Sequence, residues 1–372
     1  MYENFHAHNF RGFDAFALEG MGRVNLISGA NNSGKTAALE ALFLHASGPF
    51  AGRTAIRSLR PARGLSNMMT GDDVSPWDVL FPNYRRESTI RLEAAADGGN
   101  YRLRLKVPRP GPGGGVATTA DESVIEGLSS QPLEITEERD DLPPQTYTER
   151  LIIGTTTDRA SIAIGQQYVI SFELTPRAIR PFKQLSFLAS RTRSNHELLA
   201  QRYSDLRRRA SGDFLLRALK LLEPRLRDVE VLVLEGSSQL HANLGRRELV
   251  PLALMGEGMS VVADFVLAMY ATPDGTLLVD EIENGIHYSV LEGVWRVLDE
   301  LSKETGVQLV VTTHSRECQF AAASAMHDSN DLRFFRLRRV AGKERGKQDV
   351  TAVDRYDQDL ISAAIDMDLD LR

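Results

Sequence analysis

The stretch Gly29-Ala30-Asn31-Asn32-Ser33-Gly34-Lys35-Thr36 decides how the rest of the chain is read. It matches the pattern G-x4-G-K-[ST] without a mismatch. Each residue type in that pattern has a physical reason. Glycine lets backbone N–H groups close around phosphate oxygens, and the helix that follows aims its positive end at the same oxygens. A lysine at position 35 reaches the β- and γ-phosphates of a nucleoside triphosphate such as ATP, and the Thr36 hydroxyl is a ligand for Mg2+. The local context agrees. Val24-Asn25-Leu26-Ile27-Ser28 reads as a short buried strand before the loop. Leu39, Leu42 and Phe43 recur at helical spacing over residues 36–47 after it. Pro49 and Gly52 are expected to end that helix.

Three segments farther along the chain complete the pattern. Thr276-Leu277-Leu278-Val279-Asp280-Glu281 is an apolar strand ending in two carboxylates. A charged pair at the end of a buried strand is costly unless something binds it. Asp280 is expected to hold Mg2+, and Glu281 to polarise an attacking water as general base. Glu283, two residues on, reads as a second acid or, as is commoner for such a residue, a structural or interface contact. Val307-Gln308-Leu309-Val310-Val311 is the next strand, and Thr312-Thr313-His314-Ser315 follows it as a polar cluster. His314 there is placed to hydrogen-bond a γ-phosphate or the attacking water. His287 reads as an interface or packing residue, and Cys318 as an inert helix residue. Finally, Leu254-Met255-Gly256-Glu257-Gly258-Met259-Ser260 precedes a hydrophobic helix over 261–270. Ser260 is expected to cap it, with Gly256 and Gly258 leaving its first amides open to an anion.

The rest of the chain supplies the frame. Its 372 residues correspond to about two to three domains. With 44 basic and 50 acidic side chains the net charge is −6, which argues against coating nucleic acid through bulk charge. A single cysteine excludes internal disulfides and cysteine-rich zinc sites. No apolar run approaches a membrane span and no signal-peptide shape opens the chain, so a cytoplasmic, non-membrane protein is expected. Alternating stretches at 89–93 and 101–105, joined by Asp97-Gly98-Gly99-Asn100, read as a hairpin. Residues 108–146, rich in Gly, Pro, Thr and acids, read as a loop or insert, with strands resuming around 150–174. Ser194-x-x-Glu197 is a capping box for a helix carrying Leu198, Leu199, Tyr203 and Leu206, and a second helix runs over about 213–222. The tail reads as two strands around the charged turn 342–347, then a short helix. Strand–helix alternation at both ends predicts an α/β core interrupted by a β-rich insert and a small helical unit.

The order of phosphate loop, helical unit, glycine-rich helix start, acidic strand and histidine resembles the ABC-type ATPase heads of the SMC, RecF and OLD group. It is similar, more closely, to stand-alone bacterial AAA-type ATP-binding proteins with OLD-like heads. The residues carrying the likeness are Asn25–Thr36, Met255–Ser260, Leu277–His287 and Thr312–Cys318. The resemblance implies a P-loop NTPase divided as follows. Residues 1–96 form the first part of the core and 97–180 a β-rich insert completing an ABC-specific sheet. Residues 181–260 form a helical subdomain ending in the signature-like loop, and 261–372 the second part of the core. It also implies ATP sandwiched between two copies. Lys35, Thr36, Asp280, Glu281 and His314 come from one copy, and Gly256, Gly258 and Ser260 of the other reach the γ-phosphate.

Several departures from the family pattern stand out. The signature is not the transporter LSGGQ. Ile282 and Tyr288 stand where proline is common in relatives, and Gln184 is a weak match to the glutamine of the Q-loop. The helical unit is too short for an SMC-like coiled coil, and no C-terminal nuclease domain of the full OLD kind is visible. The function implied is an ATPase that dimerises on ATP, with a higher oligomer open. It would regulate an effector or nuclease partner in bacterial anti-phage or mobile-element defence. The alternative is a RecF-like DNA-binding ATPase in repair, with Arg202, Arg207, Arg208 and Arg209 as phosphate contacts. A third reading is a scaffold that hydrolyses ATP very slowly.

Overall fold

Short apolar runs buried on both faces favour a parallel sheet covered by helices, and the strands that bracket the phosphate loop build one. The computed structural model describes residues 1–58, 77–108, 127–129, 132–140, 142–155, 168–176, 181–190, 196–208, 213–234, 236–327, 329–340 and 350–356. The strands are β1 (Tyr2–Phe10), β2 (Phe13–Glu19), β3 (Val24–Ser28), β4 (Ile90–Ala96), β5 (Gly99–Lys106), β6 (Gly127–Ser129), β7 (Leu133–Arg139), β8 (Leu142–Thr155) and β9 (Tyr168–Thr175). They continue with β10 (Leu185–Leu188), β11 (Asp228–Leu234), β12 (Ser237–Asn243), β13 (Val250–Pro251), β14 (Thr276–Val279), β15 (Gln308–Thr312), β16 (Leu332–Val340) and β17 (Val350–Tyr356). The helices are α1 (Lys35–Ser47), α2 (Ala51–Ser58), α3 (His196–Arg208), α4 (Asp213–Lys220), α5 (Glu257–Ala271), α6 (Tyr288–Thr305) and α7 (Arg316–Ala325).

The chain divides into two compact units. One comprises Met1–Glu3, Leu18–Leu39 and Gln184–Arg372; the other comprises Asn4–Ala17 and Glu40–Lys183. In the first, a six-stranded sheet runs β10-β14-β15-β3-β16-β17. The neighbours from β10 to β16 are parallel and β17 is antiparallel to β16. Parallel pairing sends every one of those strand ends to the same edge. Leu188 aligns with Val279, Val279 with Val311, and Thr312 with Ile27. The residues just past β3, β14 and β15 therefore meet in space although they are far apart in sequence. The hydrophobic core gathers Val24, Leu26, Phe265, Leu277, Trp295 and Leu309 with residues of α3 and α4. Gln308, the polar exception in its strand, is fully buried because its amide is fully used. It accepts from the Tyr2 N–H at 2.8 Å and donates to the Tyr2 and Gly22 carbonyls at 2.7 and 2.8 Å. A three-stranded antiparallel sheet, β11-β12-β13, belongs to the same unit.

The second unit holds an eight-stranded sheet in which β2-β1-β4-β5-β7-β8-β6 are neighbours and β9 pairs with β8. The hairpin read at 97–100 is present: β4 and β5 pair through Asp97 and Gly98, both at positive φ as a tight hairpin turn requires. Two expectations are corrected. The helix does not stop for good at Pro49 and Gly52. It breaks at Gly48 (φ +56), makes a 3-10 turn over Gly48–Phe50 and resumes as α2, with Gly52 inside it. A Cβ on Gly52 would lie 2.3 Å from Glu149 Oε2, so a larger residue would have to displace that carboxylate. Nor is 108–146 a loop throughout. Residues 133–139 and 142 onward are strands, β7 pairing with β5 and β8, and their alternation was masked by charged outward-facing residues. The Gly/Pro-rich part at 109–126, the capping residue Ser194, the turn 342–347 and the tail helix lie outside the described residues.

His45 sits fully buried in this second unit, edge-on to Phe5, Tyr101 and Phe182, with Nε2 3.2 Å from the Tyr101 carbonyl. Burial holds its pKa down at about 3. A histidine kept neutral in the fold but free to charge when unfolded contributes stability that is complete above about pH 6.5. That stability is lost as pH falls toward 3, at about 1.4 kcal/mol per pH unit for one proton. His45→Phe keeps a ring in the cage and removes the proton, so urea-unfolding free energies measured at pH 7 and pH 5 should differ less in this variant than in the parent. An unchanged difference would exclude His45 as the source.

Candidate functional site

The phosphate loop occupies the turn between β3 and α1. Gly29 (φ +146), Asn32 (φ +62) and Gly34 (φ +102) take backbone conformations that turn the loop. A Cβ on Gly29 would collide with the Leu337 carbonyl at 2.5 Å, which is why glycine must stand there. Ala30, Asn31 and Asn32 are exposed, whereas Ser33 is buried and its hydroxyl meets no hydrogen-bond partner among the described residues. Lys35 is the first residue of α1. Its Nζ donates to the Gly29 carbonyl at 2.6 Å and the Ala30 carbonyl at 3.1 Å, so the ammonium lies inside the loop it would serve. Burial lowers its pKa, and the charges of Asp280, Glu281 and Glu283 pull it back up.

Asp280 follows β14 and is 3% exposed. The Thr36 hydroxyl lies 3.1 Å from both of its carboxylate oxygens, and the Thr312 hydroxyl donates to Oδ1 at 2.7 Å. Thr312 Oγ1 in turn accepts from the Glu281 N–H at 2.8 Å. A side chain from β15 thus ties the acidic pair to the neighbouring strand. Thr312 was visible in the sequence only as part of a polar cluster. Its role was findable from one signal, a hydroxyl at the end of the strand next to the acidic one. Glu281 adopts φ +50, a left-handed conformation unusual for a residue with a side chain. Its Oε2 accepts from Asn284 Nδ2 at 2.5 Å. Strain of this kind persists where surrounding structure over-determines it, and it clusters at functional positions.

A hydroxyl and a carboxylate, both hard oxygen donors meeting at one point, form the donor set that suits Mg2+. That ion takes one or two protein ligands and completes its shell from phosphate and water. Thr36 and Asp280 fit that description. Among the described residues no group of three or more His, Cys, Asp or Glu is arranged to hold a metal.

His314 lies past β15, on the same sheet edge, with 48% of its side chain exposed. Glu283 is its neighbour: Oε1 accepts from the His314 N–H at 3.0 Å and the Ser315 N–H at 3.2 Å. Glu283 thus ties the loop after β15 to the segment after β14. His287 caps α6 through its side chain. Cys318 is buried in α7, where burial pushes its thiol up to about 12, out of reach of thiolate chemistry at neutral pH.

Other sequence expectations change. Ser260 does not cap α5. The cap position is Gly256 (φ +108), the helix starts at Glu257, and Ser260 lies within the first turn, 4% exposed. The hydrophobic run drew the helix boundary too late because Glu257 and Gly258 precede it. Gly258 is also buried: a Cβ there would lie 2.7 Å from the Gly285 carbonyl and 2.9 Å from Leu222 Cδ2. The groups left at the surface of this helix start are Gly256 and Glu257. Gly258→Ala should therefore cost about 1–3 kcal/mol of stability through overpacking. Thermal unfolding would show it, and an unchanged midpoint would refute the close approach. Gln184 precedes β10 and accepts from the Thr276 N–H at 3.1 Å through its carbonyl. That puts it at the opposite end of β14 from Asp280, so it is not a nucleotide-facing glutamine. Arg202 is paired with Asp264 at 2.9 Å and mostly buried, which removes it from the proposed basic face. Arg208 pairs with Asp205, Arg207 lies over the Tyr203 ring, and Arg209 is outside the described residues.

A glycine-rich loop between a parallel strand and a helix, an acidic strand end bonded to the loop threonine, and a histidine on the same sheet edge define a P-loop ATPase. The chain belongs to the family described as "AAA domain, putative AbiEii toxin, Type IV TA system", whose profile matches residues 24–317 and so takes in every site residue from Gly29 to His314. It is 22% identical over 341 residues to a Helicobacter pylori (strain ATCC 700392 / 26695) protein described as an ATP/GTP phosphatase, covering 85% of this chain and 86% of that one. Among solved structures it is similar to an Smc head bound to the C-winged helix domain of ScpA, with 13% identity, TM-score 0.47 and 96% and 98% of the two chains covered. It is also similar to a Pyrococcus furiosus Smc head with an extended coiled coil, with 11% identity, TM-score 0.47 and 98% of each chain covered. Among the described residues no helix is long and apolar enough to cross a membrane.

Proposed function

We propose that this chain binds ATP with Mg2+, dimerises across the nucleotide, hydrolyses it, and through that cycle controls a partner effector in anti-phage or mobile-element defence. The observation that carries the nucleotide part is the linkage Thr36–Asp280–Thr312 beside the buried Lys35. The loop amides and Lys35 bind the phosphates, and Thr36 and Asp280 would hold Mg2+. That ion supplies charge neutralisation on the phosphate oxygens. Glu281 accepts a proton from water as its oxygen attacks the γ-phosphorus. The bond from that phosphorus to the β–γ bridging oxygen breaks, and ADP and phosphate leave. His314 contributes from the adjacent loop. The second copy would present the start of its α5 to the same phosphate, and of Gly256, Gly258 and Ser260 it is Gly256 that lies exposed there.

Regulation of a partner follows from the family resemblance and the dimer, and is tested separately. Copurification of an effector with the ATP-held chain but not the ADP-held chain, without DNA binding, supports the defence reading. Salt-sensitive DNA binding that strengthens with ATP would instead establish the repair reading.

A further inference from the structure

β11 is the outer strand of the three-stranded sheet, with β12 as its neighbour among the described residues. Its second half, Val231-Leu232-Val233-Leu234, carries no charge and no proline. Edge strands ordinarily use such residues to keep other strands away. Val231 and Leu232 are half-buried, while Val233 is 66% and Leu234 51% exposed. Successive side chains point to opposite faces, so both faces of this strand end are apolar and open to solvent. The outward backbone groups can be located too. The Val229 N–H donates to Asp228 Oδ1 at 2.8 Å, and its C=O accepts from the Tyr203 hydroxyl at 2.7 Å. At Val229 the backbone groups therefore face away from β12. In an antiparallel ladder that direction alternates along the strand. Val231 and Val233 thus also turn their N–H and C=O groups to the open edge.

We propose that β11 is an interface with a second copy of this chain, the two strands pairing antiparallel about a two-fold axis at Leu232. The register follows from the groups on offer. Val229 is already engaged, so the open groups of both strands are satisfied when Val231 lies opposite the partner's Val233, and Val233 opposite the partner's Val231. Leu232 then falls on the axis and meets its own counterpart as a non-hydrogen-bonded pair, with Cα atoms about 4.5 Å apart. The charges agree with this arrangement. β11 has its acids, Asp228 and Glu230, in its first half and its apolar residues in its second. Antiparallel pairing in this register sets Glu230 opposite the partner's Leu234 and no acid opposite an acid. In-register parallel pairing would align acid with acid. The contact is self-complementary, as a two-fold interface must be. It is also short, well below the area of a stable interface, so it forms at high local concentration. It goes beyond the nucleotide reading and does not rest on it. Combined with an ATP-held dimer, it would link dimers into a larger assembly.

The experiment uses the full chain without nucleotide. Cys318 is buried with its thiol pushed up to about 12, so it stays silent under mild oxidation. Leu232→Cys should form a disulfide-linked dimer about tenfold faster than Val231→Cys or Val233→Cys, because only position 232 meets itself within disulfide reach. Adding Val233→Lys to Leu232→Cys should return the rate to background. Adding Lys35→Ala instead should leave the cross-link unchanged, which separates this interface from the nucleotide site. Equal rates at the three positions, or a Leu232→Cys dimer that survives Val233→Lys, overturn the proposal. Hydrogen exchange on the parent chain gives a second measure that needs no variant. The Val231 and Val233 amides should gain protection as protein concentration is raised. Fast exchange of both at every concentration overturns the pairing. Protection that arises only when a different protein is added assigns the edge to that partner and overturns the second copy as its occupant.

Discussion

ATP turnover should fall by more than about a hundredfold in Lys35→Ala, with nucleotide binding weakened as well. The size of the effect follows from where the ammonium sits. Lys35 is 9% exposed and held by two loop carbonyls, and burial works against its charge. The charges of three nearby carboxylates act in the opposite direction. A buried cation maintained at such expense is useful when an anion arrives, because a low-dielectric setting strengthens its attraction for phosphate. Alanine is a good residue at a helix start and makes no demand on the loop's backbone, so the fold should survive. Phosphate release and fluorescent-nucleotide binding measure the two losses. Parent-like turnover in a folded Lys35→Ala protein would place hydrolysis elsewhere in the chain.

Glu281→Gln should slow hydrolysis by about 10²–10⁴-fold while sparing ATP binding. The substitution keeps shape and backbone tolerance and removes the ability to take a proton. Its carbonyl oxygen can still accept from Asn284, as Oε2 does now. The Thr312 hydroxyl bonds the backbone N–H at position 281, not the side chain, so the tie between strands is untouched. A hydrolase so altered should accumulate as an ATP-bound dimer on light scattering, and Lys35→Ala should abolish that dimer. A chain whose monomer–dimer balance ignores both substitutions would be a scaffold, and the two-copy reading would be lost.

The legible part of the site was the part whose residue types are dictated by phosphate chemistry within a few positions. The loop from Gly29 to Thr36, the apolar run into Asp280 and the polar end of the next strand each carry their signal locally. The helix over 257–271 was legible in its apolar body but not at its start. Helix starts are set by backbone conformation, and Gly256 at φ +108 leaves little mark beyond its being glycine. Gln184 was misread for a different reason. Chain order placed it near the site, but the parallel register of β10 on β14 carries it to the other end of the strand. Arg202 looked like one of a row of surface cations until Asp264, on a different helix, claimed it.

By itself, then, the amino-acid order determined the chemistry on offer: a triphosphate-gripping loop, two acids and a histidine, each bound to a strand end by local hydrophobic patterning. What only the folded chain decided was their acquaintance. Parallel pairing of β14, β15 and β3 brings Thr36, Asp280 and Thr312 within hydrogen-bond reach across separations of 244 and 32 residues, and sets Glu283 against the histidine loop. Such pairings arise from the register of strands far apart in sequence. No short window of residues encodes that register, because it is set by the packing of the whole sheet.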